Sequence, residues 1–479
     1  MRAFLSTPIS IHFSGIMSPR ISLFAATLAL TTVVSAAAPA TSTTPAAPKP
    51  APTKPAAAPV PAPAPTPAKP LNPFVVHAEK ENATYKTGEQ VTFTITLAKD
   101  SPAPRDAEIS WSISKDGVPP VTTAKGKLVD GKATATTSLN EPGFLLCRVS
   151  WNQDGKVHNS LGGAAVDPLL IKPSLPVPDD FDAFWDAQKK KLAAVPAKST
   201  LTPVPSPTKK AETFDVKVDA LGAPVSGYFA RPVNAKPKSL PIILMVHGAG
   251  VSSSNLPSAA SWAENGMLAF NMNAHGIPNG KPPEFYSSLA QADLKDYRNV
   301  GRDSRDTWYF LGMFLREVRA LDFLCSQPEW DGKTVVVYGS SQGGFQGFAI
   351  SAIDPRVTFL AAGVPAGCDH TGIVVNRVNG WPKVVPNLPD GKPDPKVLEA
   401  SRYFDNVNFA AKTKAKGAYL TVGFIDTTCP PTGVYAAYNA LPLSTKAIYD
   451  DIPSGHANSP QASAAMVEAV KKHVKENSK

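Results

Sequence analysis

Cysteine is scarce in this sequence, and the four that occur are far apart. Cys147, Cys325, Cys368 and Cys429 form no CxxC pair and no metal-ligand spacing, which excludes a thiolate centre of the zinc-finger type. We therefore expect buried free thiols, although an exported protein would permit a disulfide.

Charged residues are also few, at 18% of the chain, and the formal net charge of +9 comes from scattered lysines and arginines. The densest basic run is Lys189-Lys190-Lys191, and no stretch alternates basic with aromatic residues. This distribution predicts a solvated surface and lacks the usual nucleic-acid signatures, so we expect no nucleic-acid partner.

Long apolar runs are missing except near the start, where residues 21–34 read ISLFAATLALTTVV. This run is too short to span a bilayer comfortably. Arg20 precedes it and small residues follow at 35–38, a layout typical of a secretory signal. We predict a signal peptide over residues 1–37, no stable membrane insertion, and export to the periplasm or out of the cell. The alternative is a retained amphipathic anchor.

Proline, in contrast, is abundant, with 49 in the chain. Many lie within residues 38–72, where nearly every residue is Ala, Pro, Thr, Ser or Lys. Such a composition cannot bury a core, so this segment is predicted to be an extended, disordered linker.

Residues 73–170 have an all-β pattern. Val91–Leu97 and Ile109–Ile113 alternate apolar and polar residues, and turn signals such as Asp130-Gly131 separate the runs. Short strands at this spacing predict a β-sandwich of the immunoglobulin type. The sequence assigns this domain no chemistry. A glycan-binding role is one expectation, and a spacer or packing module is the alternative.

From residue 171 to 479 the pattern changes to that of an α/β protein. Apolar runs at 242–246, 267–272 and 334–338 alternate with segments of helical periodicity. This alternation predicts a mostly parallel sheet flanked by helices.

The third of these runs leads into Gly339-Ser340-Ser341-Gln342-Gly343, a G-x-S-x-G motif followed by a helical stretch. In an α/β hydrolase this motif forms a tight strand-to-helix turn that exposes the serine, and glycines let the backbone close there. We therefore predict an α/β-hydrolase fold with Ser341 as the nucleophile.

A serine nucleophile needs a base and an acid, which follow it in the order acid, then histidine in this fold. Asp426 ends a strand-like run and His456 follows another, so both are predicted at the edge of the sheet that carries Ser341. Asp450 and Asp451 are rivals for the acid but lie too close to His456 in sequence. His473, in the terminal amphipathic helix, is predicted to be a surface residue.

The oxyanion hole of such an enzyme needs two backbone N–H groups. One is predicted from Gln342, directly after the nucleophile, and the other from Ala249 in the turn after the first apolar run. The alternative for this turn is a tight loop without a ligand. No metal and no organic cofactor is required by this chemistry.

Several separated motifs resemble the acetyl xylan esterase and cephalosporin-C deacetylase family of carbohydrate esterases. They are the entry segment Pro178–Trp185, the nucleophile turn Gly339–Gly344, the segment Tyr403-Phe404-Asp405, the acid motif Gly423–Pro431 and the segment Ala437-Tyr438-Asn439. The resemblance implies a serine esterase that removes acetyl groups from acetylated sugars, with Ser341, Asp426 and His456 as its triad. It also implies Gln342 and Ala249 as the oxyanion donors.

Two departures from this family bear on substrate preference. His275-Gly276-Ile277 stand where the family has Arg-Gly-Gln, and Ala457 stands where it has Glu. We expect His275 and Ile277 to contact the substrate, although His275 can equally act by hydrogen bonding behind the pocket. Members of the family form ring-like hexamers, so a homo-oligomer is expected unless the amino-terminal domain opposes it.

The expected function is therefore that of an exported serine esterase acting on an acetylated saccharide or glycan through an acetyl-enzyme intermediate. A broader carboxylesterase or a peptidase on the same fold is the first alternative. From a different class, the alternative is a glycan-binding protein whose hydrolase domain has decayed.

Overall fold

Two regions of different secondary structure follow each other along residues 72–477, which are the residues that the computed structural model describes. The predicted signal peptide and all of the predicted linker except Asn72 lie outside them. Within the described residues, none of the helices has the length and apolar character that crossing a membrane requires.

The first region is all-β and consists of two sheets. One has the strand order β1-β3-β6 and is antiparallel, and the other has the order β2-β8-β7-β4-β5. In β3 the alternation predicted from the sequence buries Val91, Phe93 and Ile95. The strands are β1 (Phe74–Ala78), β2 (Thr84–Tyr85), β3 (Gln90–Leu97), β4 (Glu108–Lys115), β5 (Pro120–Lys127), β6 (Lys132–Ser138), β7 (Gly143–Gln153) and β8 (Lys156–Val166).

The second region, which we call the catalytic region, is built on a nine-stranded sheet of order β17-β16-β15-β14-β12-β13-β11-β10-β9. Strands β12 to β17 are parallel, as the sequence predicts, and β9 to β11 add an antiparallel edge that it does not predict. The strands are β9 (Ser199–Pro203), β10 (Ala211–Val218), β11 (Val225–Pro232), β12 (Leu240–Val246), β13 (Leu268–Met272), β14 (Trp330–Ser340), β15 (Phe359–Gly363), β16 (Gly417–Gly423) and β17 (Lys446–Asp451).

Helices cover this sheet, and α5 follows the central strand β14. All residues of α5 are buried, which suits a helix that is apolar on every side. The helices are α1 (Phe181–Ala193), α2 (Leu256–Glu264), α3 (Pro283–Gln291), α4 (Tyr309–Cys325), α5 (Gln342–Ile353), α6 (Pro395–Ser401), α7 (Asn406–Lys412), α8 (Pro431–Ala440) and α9 (Pro460–Asn477). The loops that leave β12, β14, β16 and β17 lie at the carboxyl ends of parallel strands, where ligands of such sheets bind.

The all-β region packs against residues 424–430, the loop between β16 and α8 that we call the acid loop. The ring of Phe144 lies edge-on to the ring of Phe424, with the two centroids 5.0 Å apart. The centroid of the Phe144 ring is also 5.4 Å from that of the Tyr435 ring. A Cβ on Gly163 would lie 2.5 Å from the carbonyl oxygen of Phe424, so only glycine permits this approach. One hydrophobic core therefore continues from the all-β region into the catalytic region.

The side chain of His473 is in a different environment from the one that the sequence predicts. It is buried on the inner face of α9, stacked on Phe359 at 4.6 Å between ring centroids. Its Nε2 lies 3.0 Å from the hydroxyl of Thr358. The prediction of a surface residue was wrong because His473 follows Met466 and Val470 along the buried stripe of the helix.

All four cysteines are within the described residues, and all are free thiols. Cys147, Cys368 and Cys429 are buried, and Cys325 is partly buried. The prediction of free thiols is confirmed.

Candidate active site

Ser341 lies in the turn between β14 and α5. Its φ of 56° and ψ of −122° are values that L-residues rarely adopt. Glycines on both sides make the turn feasible, since a Cβ on Gly339 would lie 2.6 Å from the backbone of Gly343, and one on Gly343 would lie 2.2 Å from the carbonyl oxygen of Val246. The sequence therefore forms a strained turn that presents the serine at the carboxyl edge of the sheet.

Asp426 lies in the acid loop, three residues after the end of β16. Its Oδ1 accepts hydrogen bonds from the backbone N–H groups of Thr428 and Cys429, both at 2.8 Å. The carboxylate is 1% exposed. The two N–H donors fix the orientation of the carboxylate and leave Oδ2 for a third donor.

His456 joins the other two residues. Its Nδ1 lies 2.7 Å from Oδ2 of Asp426, and its Nε2 lies 2.8 Å from Oγ of Ser341. Because an ionised carboxylate only accepts, Nδ1 carries the proton and Nε2 accepts the hydrogen bond of the serine hydroxyl. Three residues that follow three different strands thus form one line of hydrogen bonds.

The rival acids are bonded elsewhere. Asp450 accepts a hydrogen bond from the hydroxyl of Tyr435 at 2.6 Å, and Asp451 accepts one from the backbone N–H of Ser459 at 2.8 Å. Among the described residues, Asp426 is the acid that the structure brings to His456.

The two predicted oxyanion donors lie on segments that flank the nucleophile. The N–H of Gln342 is the first of α5 and so has no acceptor within the helix. Ala249 is exposed in the turn after β12. Its neighbour Gly248 is close to the nucleophile, since a Cβ on this glycine would lie 3.9 Å from Cβ of Ser341.

Comparison with known proteins identifies the family. The sequence model of the acetyl xylan esterase family (AXE1) matches residues 170–468. Acetyl esterase Axe7A of Xylanibacter ruminicola is 31% identical over 400 residues, which are 82% of this chain and 88% of that protein. The chain belongs to the acetyl xylan esterase family. It is accordingly a carboxylic ester hydrolase.

Solved structures of this acetyl xylan esterase family match the catalytic fold. The acetyl xylan esterase of Paenibacillus sp. R4 is 27% identical to this chain, and the two structures match with a TM-score of 0.54. The match covers 64% of this chain and 98% of the Paenibacillus chain. Acetyl xylan esterase 1 of Thermoanaerobacterium sp. is 20% identical, with a TM-score of 0.53, and the match covers 64% of this chain and 97% of that one. The fold is therefore that of an α/β hydrolase. The alignment with Axe7A spans 400 residues, which is more than the number of residues that follow residue 170 in this chain. The alignment therefore also includes part of the all-β region.

His275, which differs from the arginine usual in the acetyl xylan esterase family, is 3% exposed. Its Nε2 donates to the carbonyl oxygen of Gly250 at 3.0 Å, and its Nδ1 accepts from the hydroxyl of Tyr309 at 2.8 Å. Burial lowers the pKa of His275 to about 4, which keeps the ring neutral. Both nitrogens thus have protein partners, as the hydrogen-bonding alternative for His275 expects. A substrate contact of His275 stays a prediction.

Ile277, the second residue predicted to contact substrate, is half-buried. Its carbonyl oxygen accepts a hydrogen bond from the hydroxyl of Ser226 at 2.6 Å. No contact of its side chain with a reacting group follows from this position, and its role in substrate binding stays a prediction.

Sequence analysis missed Tyr297, which lies beside the nucleophile turn. Its hydroxyl donates to the side-chain oxygen of Gln342, and its ring lies edge-on to that of His275 with centroids 4.7 Å apart. The turn at residues 297–299 carries no motif, so only the three-dimensional fold identifies this tyrosine. Tyr297 therefore contacts Gln342, a predicted oxyanion donor, and His275, which is bonded to Gly250 next to the other predicted donor.

Asp426, Cys429 and His456 place potential metal-ligand atoms within 4.8 Å of one another. Asp426 and His456 are already bonded to each other, and burial raises the pKa of the Cys429 thiol, which keeps it protonated. A metal ion here would have to displace the hydrogen bonds of His456 to Asp426 and Ser341, so the geometry favours the hydrogen-bonded line over a metal centre.

Proposed function

We propose that the protein is an exported serine esterase that removes acetyl groups from acetylated xylan or its oligosaccharides. The observation that carries the proposal is the line of hydrogen bonds from Asp426 through His456 to Ser341, at 2.7 and 2.8 Å, in a member of this esterase family. The names of the relatives, acetyl xylan esterases and an acetyl esterase, support the acyl group and the substrate class.

The proposed reaction begins when the Ser341 hydroxyl attacks the acetyl carbonyl. His456 accepts the serine proton at Nε2 and then donates it to the departing sugar oxygen, which leaves an acetyl-enzyme ester on Ser341. Asp426, held by two backbone N–H groups, keeps the imidazole in the required tautomer and stabilises its positive charge. The same histidine then takes a proton from water, whose oxygen attacks the ester and releases acetate.

The negative charge that develops on the carbonyl oxygen would be stabilised by the N–H groups of Gln342 and Ala249. The amino-terminal end of α5 adds the positive end of its dipole at the same place. Because these groups are held before substrate arrives, they need little reorganisation in the transition state. All steps use side chains and backbone groups of this chain.

For the all-β region we propose an immunoglobulin-like fold, on the basis of its two sheets and short strands. Export is also a proposal, and the charged, apolar and small-residue order of residues 20–38 supports it. It is tested by amino-terminal sequencing of the protein recovered from culture medium and periplasm, where a start after residue 36 or 37 is expected.

The test of the esterase measures acetate release from acetylated xylan and from a small aryl acetate. Ser341→Ala is expected to lower kcat on both by at least about 10⁴-fold, because it removes the nucleophile. Ser340→Ala is the matched control, since the neighbouring hydroxyl lies near Asn458 and not His456.

Activity of the wild type on the aryl acetate alone would favour a broader carboxylesterase. Residual activity of the Ser341→Ala protein near that of the Ser340→Ala protein would refute Ser341 as the nucleophile. Binding of acetylated xylan without any acetate release would favour the decayed-hydrolase alternative.

A further inference from the structure

A cavity of about 400 Å³, which we call the interface cleft, lies between the all-β region and the acid loop. Its size is within the range of pockets that hold small ligands. Its lining includes Ser112, Ser114 and Arg148 from the five-stranded sheet, and Lys383, Asp426 and Thr427 from the catalytic region.

The wall formed by the sheet carries polar groups beside the apolar residues of β7. Ser112 on β4 lies directly opposite Arg148 on β7, and Ser114 follows two positions along β4. Residues opposite each other in neighbouring strands, and residues two apart in one strand, point to the same face, so two hydroxyl groups and a guanidinium share this wall. Such groups donate and accept the hydrogen bonds that sugar hydroxyls and carboxylates make.

The accessible charge of the interface cleft is positive. Arg148 and Lys383 stand on opposite walls and are exposed, and the side chain of neither has an ion-pair or hydrogen-bond partner among residues 72–477. The acids of the cleft are buried and already bonded, Asp116 to the backbone N–H of Phe144 and Asp426 as described above. An anionic group would therefore find two free cations and no accessible carboxylate that repels it.

The acid loop connects the interface cleft with the triad candidates. Asp426 lines the cleft and is bonded to His456, whose other nitrogen is bonded to Ser341. Thr427, the next residue of the loop, also lines the cleft and is exposed. This connection is the basis for placing in the cleft a neighbouring sugar of a chain whose acetylated sugar lies at Ser341.

We propose that the interface cleft binds a carboxylate-bearing sugar of the substrate chain, with Arg148 and Lys383 contacting the carboxylate. This inference rests on the proposed function and extends it, because it makes an acidic acetylated oligosaccharide the preferred substrate. It also gives the all-β region a part in substrate recognition.

The experiment uses the full chain with Ser341→Ala, so that ligand is bound and not consumed. Calorimetry compares an acetylated xylo-oligosaccharide that carries a glucuronic acid branch with an unbranched one of equal length. We expect the acidic ligand to bind more tightly than the unbranched one. The double substitution Arg148→Ala and Lys383→Ala should weaken binding of the acidic ligand roughly three- to tenfold, which is the contribution expected of two exposed charge pairs. Raising the salt concentration to about 1 M should remove most of the preference, because the screening length falls to about 3 Å.

The matched control is Lys156→Ala, which removes an exposed charge at the far end of β8. Lys156 pairs with Gln153, five residues along β7 from Arg148, or about 16 Å at 3.3 Å per residue. Binding of the acidic ligand by this variant should equal that of the parent protein.

Equal affinity for the two ligands, no binding of either, or the same loss in the Lys156→Ala protein would overturn the proposal. Acetate release by the wild-type chain is measured separately with both ligands. Tight binding of the acidic ligand without acetate release would refute the esterase proposal and leave the binding role of the cleft supported.

Discussion

Among the single residues of the proposed site, Gln342 has two roles, one for its backbone and one for its side chain. Its N–H is a proposed oxyanion donor, while its side chain is completely buried and accepts a hydrogen bond from the hydroxyl of Tyr297. Tyr297 in turn packs edge-on against His275, which donates to the carbonyl oxygen of Gly250. The two segments of the proposed oxyanion donors are therefore linked through the buried side chains of Gln342, Tyr297 and His275.

Tyr297→Phe should consequently impair catalysis without preventing binding. The change removes one hydroxyl and leaves the ring packing, so Gln342 loses the donor that fixes its side chain. We expect kcat for an aryl acetate to fall roughly tenfold with little change in KM, since weaker oxyanion stabilisation affects the transition state alone. Tyr286→Phe, whose hydroxyl donates to the carbonyl oxygen of Pro278, is the matched control. A rise in KM at constant kcat would contradict the positioning role.

The triad candidates could be derived from the sequence because each has a local signal. Ser341 lies in a glycine-flanked motif, and Asp426 and His456 each follow a strand-like run, so chain order and strand ends suffice to bring them together. His275 and Tyr297 have no such signal. Their partners, Gly250, Tyr309 and Gln342, lie 25 to 45 positions away, and only tertiary packing decides which of these groups meet.

Among the elements, α9 depends on a titratable side chain for part of its contact with the sheet. Ala462, Met466, Val470 and His473 form its buried stripe. Burial lowers the pKa of His473 to about 4, opposed by the nearby carboxylate of Glu476 and assisted by Lys416. The folded protein therefore holds this imidazole neutral, stacked on Phe359.

This arrangement predicts a loss of stability on acidification. The unfolded chain protonates His473 near its ordinary pKa of 6.5 and the folded protein only near 4, so the free energy of unfolding falls as the pH drops between these values. His473→Gln cannot titrate and should show a shallower fall, by on the order of 2 kcal/mol. Urea unfolding of both proteins at pH 7 and pH 4.5 measures the difference. Parallel pH dependence in the two proteins would contradict it.

The sequence predicted the parallel strands better than the edge of the sheet. Strand β12 is a nearly continuous apolar run and β14 contains one at Val335–Tyr338, a pattern typical of strands that are covered on both faces. The antiparallel strands β9 to β11 alternate weakly, and all five residues of β9 are exposed. Their pairing depends on neighbours in the folded sheet, so periodicity alone does not identify them.

At the scale of the whole molecule, the all-β region packs against the acid loop. The solved relatives align over nearly their whole length with 64% of this chain, so their fold does not require such a region. In this protein Phe144 covers Phe424, which is 1% exposed and lies two residues before Asp426. The hydroxyl of Thr432, at the start of α8, is bonded to the carboxylate of Asp116.

Phe144→Ala should therefore reduce both stability and activity. Removing a buried phenylalanine costs about 3–5 kcal/mol in the free energy of unfolding, and the cavity here would lie directly beneath the acid loop. We expect a lower melting temperature and, well below it, a lower kcat for an aryl acetate, because Asp426 would orient His456 less well. Phe93→Ala is the matched control, since Phe93 is fully buried within the all-β region. This variant should lose comparable stability and keep its kcat. An unchanged kcat in the Phe144→Ala protein would mean that the all-β region does not position the acid loop.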